Sequence, residues 1–381
     1  MLLCSLCFSL PALALPQQLY VWNRLWSPQV RGAIRQFGDV AGGWRVLVAE
    51  SDAAGGLKPV AVDWVALAAT HKPVIAVVRI DGQLALNNAN PERVAALVKG
   101  LPATVSGIEI DHDCGVARLA AYARFLNDLR GRVIPRRLSI TALPAWLEAR
   151  DLHGVLAATD EVVLQVHAVR APGAGLFDPR LARLWTDTLS RRDVKPFHVA
   201  VPDYATQVIR DDNGALLAVE SEMPRLAGGA ATQDLLAQPA DVASFVRDLT
   251  ANPPHGFVGL VWFRLPAAGD ARIWSPATLK QVMRGDTPQD KLSAALLPGD
   301  GNGAFDVGLS NDGDADALLP SALVLPSGCA PADGVNGYAL RATGGGYSLV
   351  RLQNGLLRAH HRRIVGWARC RDLSSFIQIH P

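Results

Sequence analysis

The sequence predicts an α/β fold: a closed (β/α)8 barrel of the TIM type, followed by a small all-β, sandwich-like domain. Short apolar runs alternate with longer helix-type patterns from residue 18 to about residue 284, which is typical of βα units around a parallel sheet. Beyond residue 290 the pattern changes to short alternating segments broken by Gly, Asn, Asp and Pro, which indicates strands and turns with little helix.

Eight apolar runs have the length and composition of buried parallel strands. Eight βα units in one domain predict a closed barrel. The alternative, an open doubly wound sheet, is disfavoured because no Gly-rich turn follows the first run. The stretch Val116–Arg130 shows the helical spacing expected between strands. The runs are Gln18–Trp22, Trp44–Ala49, Pro73–Arg79, Val105–Asp111, Arg137–Ala142, Glu161–Val166, Phe197–Val201 and Phe257–Phe263.

The chain divides into four predicted segments: a signal peptide at 1–14, the barrel at 15–284, a linker at 285–290 and the β domain at 291–381. The first segment is a short apolar run that ends in Ala12-x-Ala14, a secretory cleavage pattern. This segment lacks the positively charged residues that usually begin a signal peptide. The sequence therefore leaves open whether the segment is cleaved or stays on the protein as an anchor. We expect an exported protein, periplasmic or extracellular or attached to the envelope, with no integral membrane span once the signal is removed.

Charge and motifs exclude several function classes. The 37 Lys and Arg against 35 Asp and Glu give a net charge of +2, which predicts no nucleic-acid partner. No Walker loop, HExxH, GxSxG or zinc spacing is present, so we predict no cofactor and no resident metal. Cys329 and Cys370 either form a disulfide in an oxidising compartment or stay unpaired and buried like Cys114; both alternatives are open.

Three acids alternate at the end of the fourth run. Because successive strand side chains point to opposite faces, Glu109, Asp111 and Asp113 share one face and His112 lies on the other. Repulsion between neighbouring carboxylates splits their pKa values, which suits general acid and base catalysis. In the structural alternative the acids form salt bridges to arginines and cap the next helix. Three alternating acids at a buried strand end favour the functional interpretation.

The other strand ends carry groups that would surround the acids at a barrel mouth. Aromatic faces stack on sugar rings, and amides, guanidinium groups and carboxylates bind sugar hydroxyls, so we predict a carbohydrate ligand. Taken singly, each group also has a purely structural explanation. The predicted binding residues are Trp22, Arg24, Asp81, Thr141, Trp146, Gln165, His167, Asp203, Tyr204, Trp262 and Arg264.

A long insertion, about residues 205–239, follows the seventh run. Inside it Thr206–Arg210 and Ala215–Glu220 flank the sequence Asp211-Asp-Asn-Gly214, and Asn-Gly is a strong signal for a two-residue hairpin turn. We predict a hairpin that stands over the barrel mouth, either as a wall of the binding cleft or as a surface flap.

The strand Gly107–Asp113 resembles the Asp-x-Asp-x-Glu strand of the chitinase-like glycoside hydrolases. The resemblance implies that Asp113 is the general acid, Asp111 its partner and Glu109 the buried member, with a substrate acetamide as nucleophile. It also implies that Trp262 forms the base of the sugar site. The chain departs from the pattern because its last acid is Asp, one methylene shorter than Glu, and because strand six has Gln and His where Met-x-Tyr is expected.

The chain is more closely similar to a bacterial family known as domain-of-unknown-function family 3142, over nearly the whole mature sequence. Members similarly have Trp-x-Arg on strand one, Gly-Ile-x-Ile-Asp-x-Asp on strand four, Thr-Ala-Leu-Pro-x-Trp on strand five and Trp-Phe-Arg-Leu-Pro on strand eight. The matching segments here are Trp22–Arg24, Gly107–Asp113, Thr141–Trp146 and Trp262–Pro266. This resemblance implies the barrel but names no activity.

Our hypothesis is an exported, glycoside hydrolase-like protein that binds a cell-envelope or extracellular polysaccharide and is a candidate O-glycosidase. Tyr204, Gln165 and Arg264 would hold the sugar. A second carboxylate from Asp81 or Asp203 would decide between retention and inversion. The first alternative is a non-catalytic glycan-binding or envelope-assembly protein on the same barrel.

A further alternative is a metal-dependent hydrolase that uses Asp111, Asp113 and either His112 or His167. It is weaker because His112 points away from the acids on an ideal strand.

Overall fold

Eight parallel strands close into a barrel in the computed structural model. Their order is β1-β12-β8-β7-β6-β5-β4-β2, and β2 pairs with β1 to close the ring. All eight predicted runs are barrel strands, which confirms the predicted fold class. The elements are β1 Gln17–Val21, α1 Pro28–Phe37, β2 Gly43–Ser51, β3 Leu57–Pro59, α2 Trp64–Ala68, β4 Val74–Arg79, α3 Ala89–Lys99, β5 Val105–Asp111, α4 Leu119–Val133, β6 Arg137–Ala142, α5 Leu152–Ala157, β7 Glu161–Gln165, α6 Pro179–Ser190, β8 Phe197–Pro202, β9 Ala205–Arg210, β10 Leu216–Glu220, β11 Ala231–Leu236, α7 Pro239–Ala251, β12 Phe257–Phe263 and α8 Pro276–Met283.

The structure describes residues 15–52, 54–87, 89–167, 175–192, 195–210, 216–220, 231–299, 303–353, 355–371 and 376–380. The predicted signal peptide and the predicted turn at 211–214 lie outside these ranges. Among the described helices, none combines the length and hydropathy needed to cross a membrane. The predicted segment boundaries stay a prediction.

Helix starts follow from the local sequence. Ser27, Asp178 and Ser275 each accept a hydrogen bond from the first turn of the helix that follows, and each precedes a proline. A side-chain oxygen at this position satisfies an amide that the helix leaves unpaired, and proline suits the first helical residue because it needs no donor. The outer helices therefore begin directly after the loops that carry the strand ends.

Alternating strand positions build two separate packing layers. Residues such as Ile108 and Ile110 point outward and pack between the barrel and its helices. Inward-pointing residues form a second cluster within the barrel: Tyr20, Trp22, Leu47, Val77, Val163, Ala200 and Val261. This inner cluster fills the barrel below the carboxyl ends of the strands, so reacting groups can stand only above it.

The insertion after β8 forms a three-stranded antiparallel sheet, ordered β10-β9-β11. Strands β9 and β10 pair as the predicted hairpin arms. The third strand, β11, pairs along the whole of β9. A bridge between Tyr204 and Ile273 ties the root of this sheet to the loop after β12.

The C-terminal part forms two four-stranded antiparallel sheets, ordered β13-β14-β21-β17 and β18-β19-β16-β22, and a short pair β15–β20. A second apolar core between the sheets includes Val307, Leu323 and Leu349, which confirms the small β domain. The strands are β13 Leu292–Pro298, β14 Phe305–Asn311, β15 Ala317–Leu318, β16 Ala322–Val324, β17 Cys329–Gly334, β18 Tyr338–Thr343, β19 Gly346–Arg351, β20 Leu356–Leu357, β21 His361–Cys370 and β22 Gln378–His380.

A disulfide between Cys329 and Cys370 links β17 to β21. Of the two alternatives that the sequence left open, pairing is therefore the one observed. Cys114 is a buried free cysteine at the end of the acidic strand. The β domain is also joined to the barrel, because Arg358 donates to the carbonyl oxygen of Asp270 at 2.7 Å in the loop after β12.

Candidate active site

A cavity of about 260 Å³ lies at the carboxyl ends of the barrel strands. The ends of seven barrel strands contribute to it, as expected for a functional site in this architecture. Polar and aromatic side chains dominate the lining, which suits a polar ligand with flat faces. The lining residues are Tyr20, Trp22, Arg79, Asp111, Asp113, Thr141, Gln165, His167, Ala200, Tyr204 and Phe263.

Asp111 is the most strongly perturbed carboxyl group of the lining. Its side chain is buried, and this burial raises its pKa to about 8. The negative charge of Asp113 raises the pKa further, whereas the guanidinium of Arg79, with Nη1 3.3 Å from Oδ2, lowers it. Desolvation outweighs the single long ion pair. Asp111 is therefore protonated at neutral pH.

Asp113 stands two residues further along, on the same side of the chain and at the cavity mouth, where it keeps contact with solvent. The cavity walls remove part of its hydration and raise its pKa, while Arg79 and His112 act in the opposite direction. The two neighbouring carboxyl groups, Asp111 and Asp113, therefore both have pKa values raised by burial. This is the arrangement that a proton donor requires.

The backbone of this acid loop, defined as residues 111–114, is held from both sides. The amide of Ile80 donates to the carbonyl oxygen of Asp111 at 2.8 Å. The indole of Trp146 donates to the carbonyl oxygen of Cys114 at 2.8 Å. Trp146 is fully buried, so it supports the loop from behind and does not line the cavity as a sugar contact.

Gly82 permits the acid loop to lie against the end of the neighbouring strand. A Cβ atom at position 82 would fall 2.0 Å from the carbonyl oxygen of Asp113. Any other residue there would have to displace backbone, because real Cβ contacts never come this close. Nη1 of Arg118 donates to the carbonyl oxygen of Gly82 at 3.0 Å and holds the contact together.

Glu109 lies deeper and has no part in the cavity lining. Its carboxylate accepts from the Tyr20 hydroxyl at 2.6 Å, from Thr141 Oγ1 at 3.2 Å and from Arg45. Tyr20, whose hydroxyl contacts Glu109, itself lines the cavity. Glu109 therefore pairs with a buried arginine outside the cavity lining, and its catalytic role stays a prediction.

Arg45 joins two buried carboxylates inside the barrel, Glu109 and Glu161. Burial alone would lower the pKa of Arg45, but the two carboxylates raise it above its ordinary value. Desolvation acts to raise the pKa of Glu161, yet hydrogen bonding to His198 and the charge of Arg45 bring it down to about 2. This network of Arg45, Glu109 and Glu161 lies inside the barrel, outside the cavity lining.

His167 forms part of the opposite wall. Burial lowers its pKa to about 4, so the ring is neutral at physiological pH. It stacks at 5.9 Å on Phe263 and lies edge-on to Tyr204 at 5.6 Å. Gln165 donates to the carbonyl oxygen of His167 at 3.2 Å, which positions its amide at the cavity edge.

Three predicted charged residues do not reach the cavity. Arg24 pairs with Glu50 at 2.6 Å, and Arg264 pairs with Asp270 at 2.7 Å. Asp81 accepts from the amide of Gln83 at 2.8 Å in an exposed turn. Each group is engaged in local structure beside the mouth, so none of them contributes to the lining.

Two further predicted residues lie behind the wall. Trp262 is fully buried and donates from Nε1 to Gln17 at 2.8 Å. It belongs to the layer between barrel and helices, so the next residue, Phe263, takes the place in the cavity that was predicted for the tryptophan. Asp203 is also fully buried. Burial raises the pKa of Asp203 well above the ordinary value, and Arg264 partly opposes this.

Four lining residues are absent from the sequence-based set: Tyr20, Arg79, Ala200 and Phe263. The sequence pattern could have identified these four residues, because the strict alternation of side chains along a strand places each of them on the inward face of the barrel. Tyr20 precedes Trp22 by two residues, and Arg79 lies directly opposite Asp111 in the pairing of β4 with β5. The described residues contain no cluster of His, Cys, Asp and Glu suited to hold a metal ion.

Comparison with protein families gives two matches. The family described as Domain of unknown function (DUF3142) matches residues 70–268, which include the acid loop and most of the cavity lining. The family described as Domain of unknown function (DUF8456) matches residues 295–371 in the β domain. The search of curated proteins found no match.

Solved structures with a similar fold include a chitinase and a spore cortex-lytic enzyme. A chitinase from Chromobacterium violaceum is 14% identical, with a TM-score of 0.52 over 71% of this chain and 99% of the chitinase. The spore cortex-lytic enzyme SleL from Bacillus cereus is 13% identical, with a TM-score of 0.50 over 72% of this chain and 75% of that chain. At these identities the likeness establishes the glycoside hydrolase-like fold alone.

Proposed function

The chain belongs to the family Domain of unknown function (DUF3142), and on that premise we propose that its barrel cavity binds one sugar unit of a polysaccharide and hydrolyses the adjoining glycosidic bond. One observation carries the proposal. Two carboxyl groups with raised pKa values, Asp111 and Asp113, face a cavity walled by aromatic and amide side chains. Proton donors beside flat apolar faces are what glycoside hydrolysis requires.

Asp113 donates the proton in this proposal because it stands nearest the mouth and Asp111 lies behind it. The glycosidic oxygen takes the proton of Asp113, the bond from this oxygen to the anomeric carbon breaks, and the leaving sugar departs as an alcohol. A water molecule then adds its hydroxyl to the anomeric carbon and returns its proton to the carboxyl pair. Burial at the cavity wall raises the pKa of Asp113, so that this carboxyl group keeps its proton more readily than an exposed aspartate does.

The sugar is held by the remaining walls. Tyr204 and Phe263 offer aromatic surface, and Gln165 and Thr141 offer hydrogen-bonding groups. Within the described lining both carboxyl groups come from the end of one strand. The proposal therefore includes no covalent intermediate on an opposite carboxylate, and the attacking group is water or a substituent of the sugar itself.

We further propose that the polysaccharide belongs to the cell envelope or the extracellular space. The Cys329–Cys370 disulfide supports this location, since structural disulfides persist in oxidising compartments outside the cytoplasm. The predicted signal peptide agrees with it.

The experiment is a screen of the purified protein against envelope and extracellular polysaccharides, scored for binding and for released reducing ends. It compares the wild type with Asp113→Asn and with the control Asp81→Asn, an exposed acid outside the lining. Release by the wild type and the control, with binding but no release by Asp113→Asn, supports the hydrolase. If all three proteins bind a glycan but release no reducing ends, the hydrolase proposal is wrong and the protein is a non-catalytic glycan-binding protein.

A further inference from the structure

We propose that the sugar bound in this cavity carries a carboxylate group, as a uronic acid does, and that Arg79 recognises it. This inference rests on the proposed function and specifies its substrate class. It follows from the placement of one guanidinium group in a cavity whose remaining lining is neutral or acidic.

Arg79 ends β4 directly opposite Asp111. Its side chain is 42% exposed, and its Cζ lies 5.7 Å from the centre of the Trp22 ring. Only Nη1 has a hydrogen-bond partner in the described parts of the chain, the long 3.3 Å contact with Asp111. A guanidinium has five N–H donors in a fixed plane, so most of the donors of Arg79 face the cavity and solvent.

Arg24 and Arg264 have a different environment beside the same mouth. Arg24 donates twice to Glu50, at 2.6 Å each, in a bidentate pair. Arg264 pairs with Asp270 at 2.7 Å. The protein thus neutralises these two arginines with dedicated carboxylates and leaves Arg79 with one long contact.

The contact partner of Arg79 supplies little charge at neutral pH. Asp111 holds its proton up to about pH 8, so it faces the guanidinium mainly as a neutral acid. The neutral ring of His167 adds no positive charge. Arg79 is therefore the only cationic group of the described lining.

A carboxylate is the ligand group that fits this arrangement best. It is planar and accepts two parallel N–H bonds from a guanidinium, in the bidentate geometry that arginine favours. Its single charge offsets Arg79, whereas a neutral sugar hydroxyl would leave that charge in a partly desolvated site. Arg79 then acts as a specificity-determining residue beside the proton donors.

The experiment measures binding of the wild-type protein to oligosaccharides of galacturonic acid, glucuronic acid and mannuronic acid. Each is paired with its carboxyl-reduced counterpart, in which only the carboxylate is lost. We expect at least one acidic form to bind at least tenfold more tightly than its neutral partner. Arg79→Gln should abolish this preference, Arg79→Lys should retain part of it, and the control Arg24→Gln should keep it.

Equal binding of both forms by the wild type would overturn the inference, and so would a preference that survives Arg79→Gln. Binding or cleavage of neutral glycans alone would overturn it too while leaving the proposed function intact. If no acidic or neutral glycan binds, the proposed function itself fails and the inference fails with it. Unchanged thermal unfolding of Arg79→Gln, expected for a half-exposed side chain, shows that the loss concerns recognition.

Discussion

Asp111 and Arg79 lie 3.3 Å apart, and the carboxyl group of Asp111 nevertheless keeps its proton up to about pH 8. The pair shows that desolvation in this barrel outweighs one long ion pair. Glu109, two residues earlier on the same face, is held instead by direct contacts from Arg45, Tyr20 and Thr141. The same strand therefore supplies a carboxyl group outside the cavity lining and a proton-holding carboxyl group within it.

Asp111 makes the stability of the protein fall as pH rises. Its carboxyl group has an ordinary pKa of 3.8 in an exposed chain and a pKa of about 8 in the fold. Between these values the folded state binds the additional proton, so the free energy of unfolding decreases by up to about 1.4 kcal/mol per pH unit. The contribution is fully present below about pH 4 and lost above about pH 8.

Urea unfolding of the wild type and of Asp111→Asn between about pH 5 and pH 8 checks this dependence. We expect the wild type to lose stability relative to the variant as pH rises. A difference that does not change with pH would mean that Asp111 titrates at its ordinary pKa.

Glu109→Gln should destabilise the protein by about 3–5 kcal/mol, because it removes one of the two carboxylates that balance the buried Arg45. Urea unfolding measures the change. The matched control is Arg24→Gln, which breaks an exposed pair with Glu50 and should cost about 0–1 kcal/mol. Equal stability of Glu109→Gln and the wild type would show that the Arg45 network does not hold the barrel.

Gly82→Ala should reduce glycan binding and cleavage at least tenfold. The added methyl group would lie 2.0 Å from the carbonyl oxygen of Asp113, so the acid loop must move, and an error of this size in a reacting group is costly. Gly115→Ala is the control, because a Cβ atom there meets nothing within 4 Å. If both variants keep wild-type activity, the position of the acid loop is not what the reaction depends on.

The double variant Cys329→Ala and Cys370→Ala should unfold with lower stability in the β domain. The disulfide joins residues 41 positions apart, and releasing a loop of this length costs about 4 kcal/mol in the chain-entropy model. Thermal unfolding with and without reductant tests this. Reductant should lower the thermal unfolding midpoint of the wild type and leave that of the double variant unchanged. If reductant does not change the midpoint of the wild type, the disulfide does not stabilise the β domain.

Alternation along the strands made much of the fold and site predictable. The outward face of β5 carries Ile108 and Ile110, and its inward face carries Asp111 and Glu109, as the period of two requires. Apolar runs of strand length located all eight barrel strands for the same reason. Lining residues such as Gln165 and Tyr204 followed from their place at strand ends.

The sequence did not reveal how deeply each side chain is buried or which charged residue it pairs with. Trp262 and Phe263 are neighbours on one strand, so their side chains point to opposite faces. Trp262 therefore lies behind the cavity wall and contacts Gln17, whereas Phe263 lines the cavity. Glu109 is engaged by Arg45, which is distant in sequence, so no local pattern marks this pairing. The motif Trp262–Pro266 likewise did not predict the ion pair between Arg264 and Asp270.

The most direct test of the central claim compares two leaving groups on the glycan that the screen identifies. General acid catalysis matters for a sugar leaving group, which must be protonated, and hardly matters for an activated aryl leaving group. We predict that Asp113→Asn lowers kcat/KM by about a hundredfold or more on the oligosaccharide and by less than about tenfold on the aryl glycoside. Equal losses on both substrates would contradict Asp113 as the proton donor.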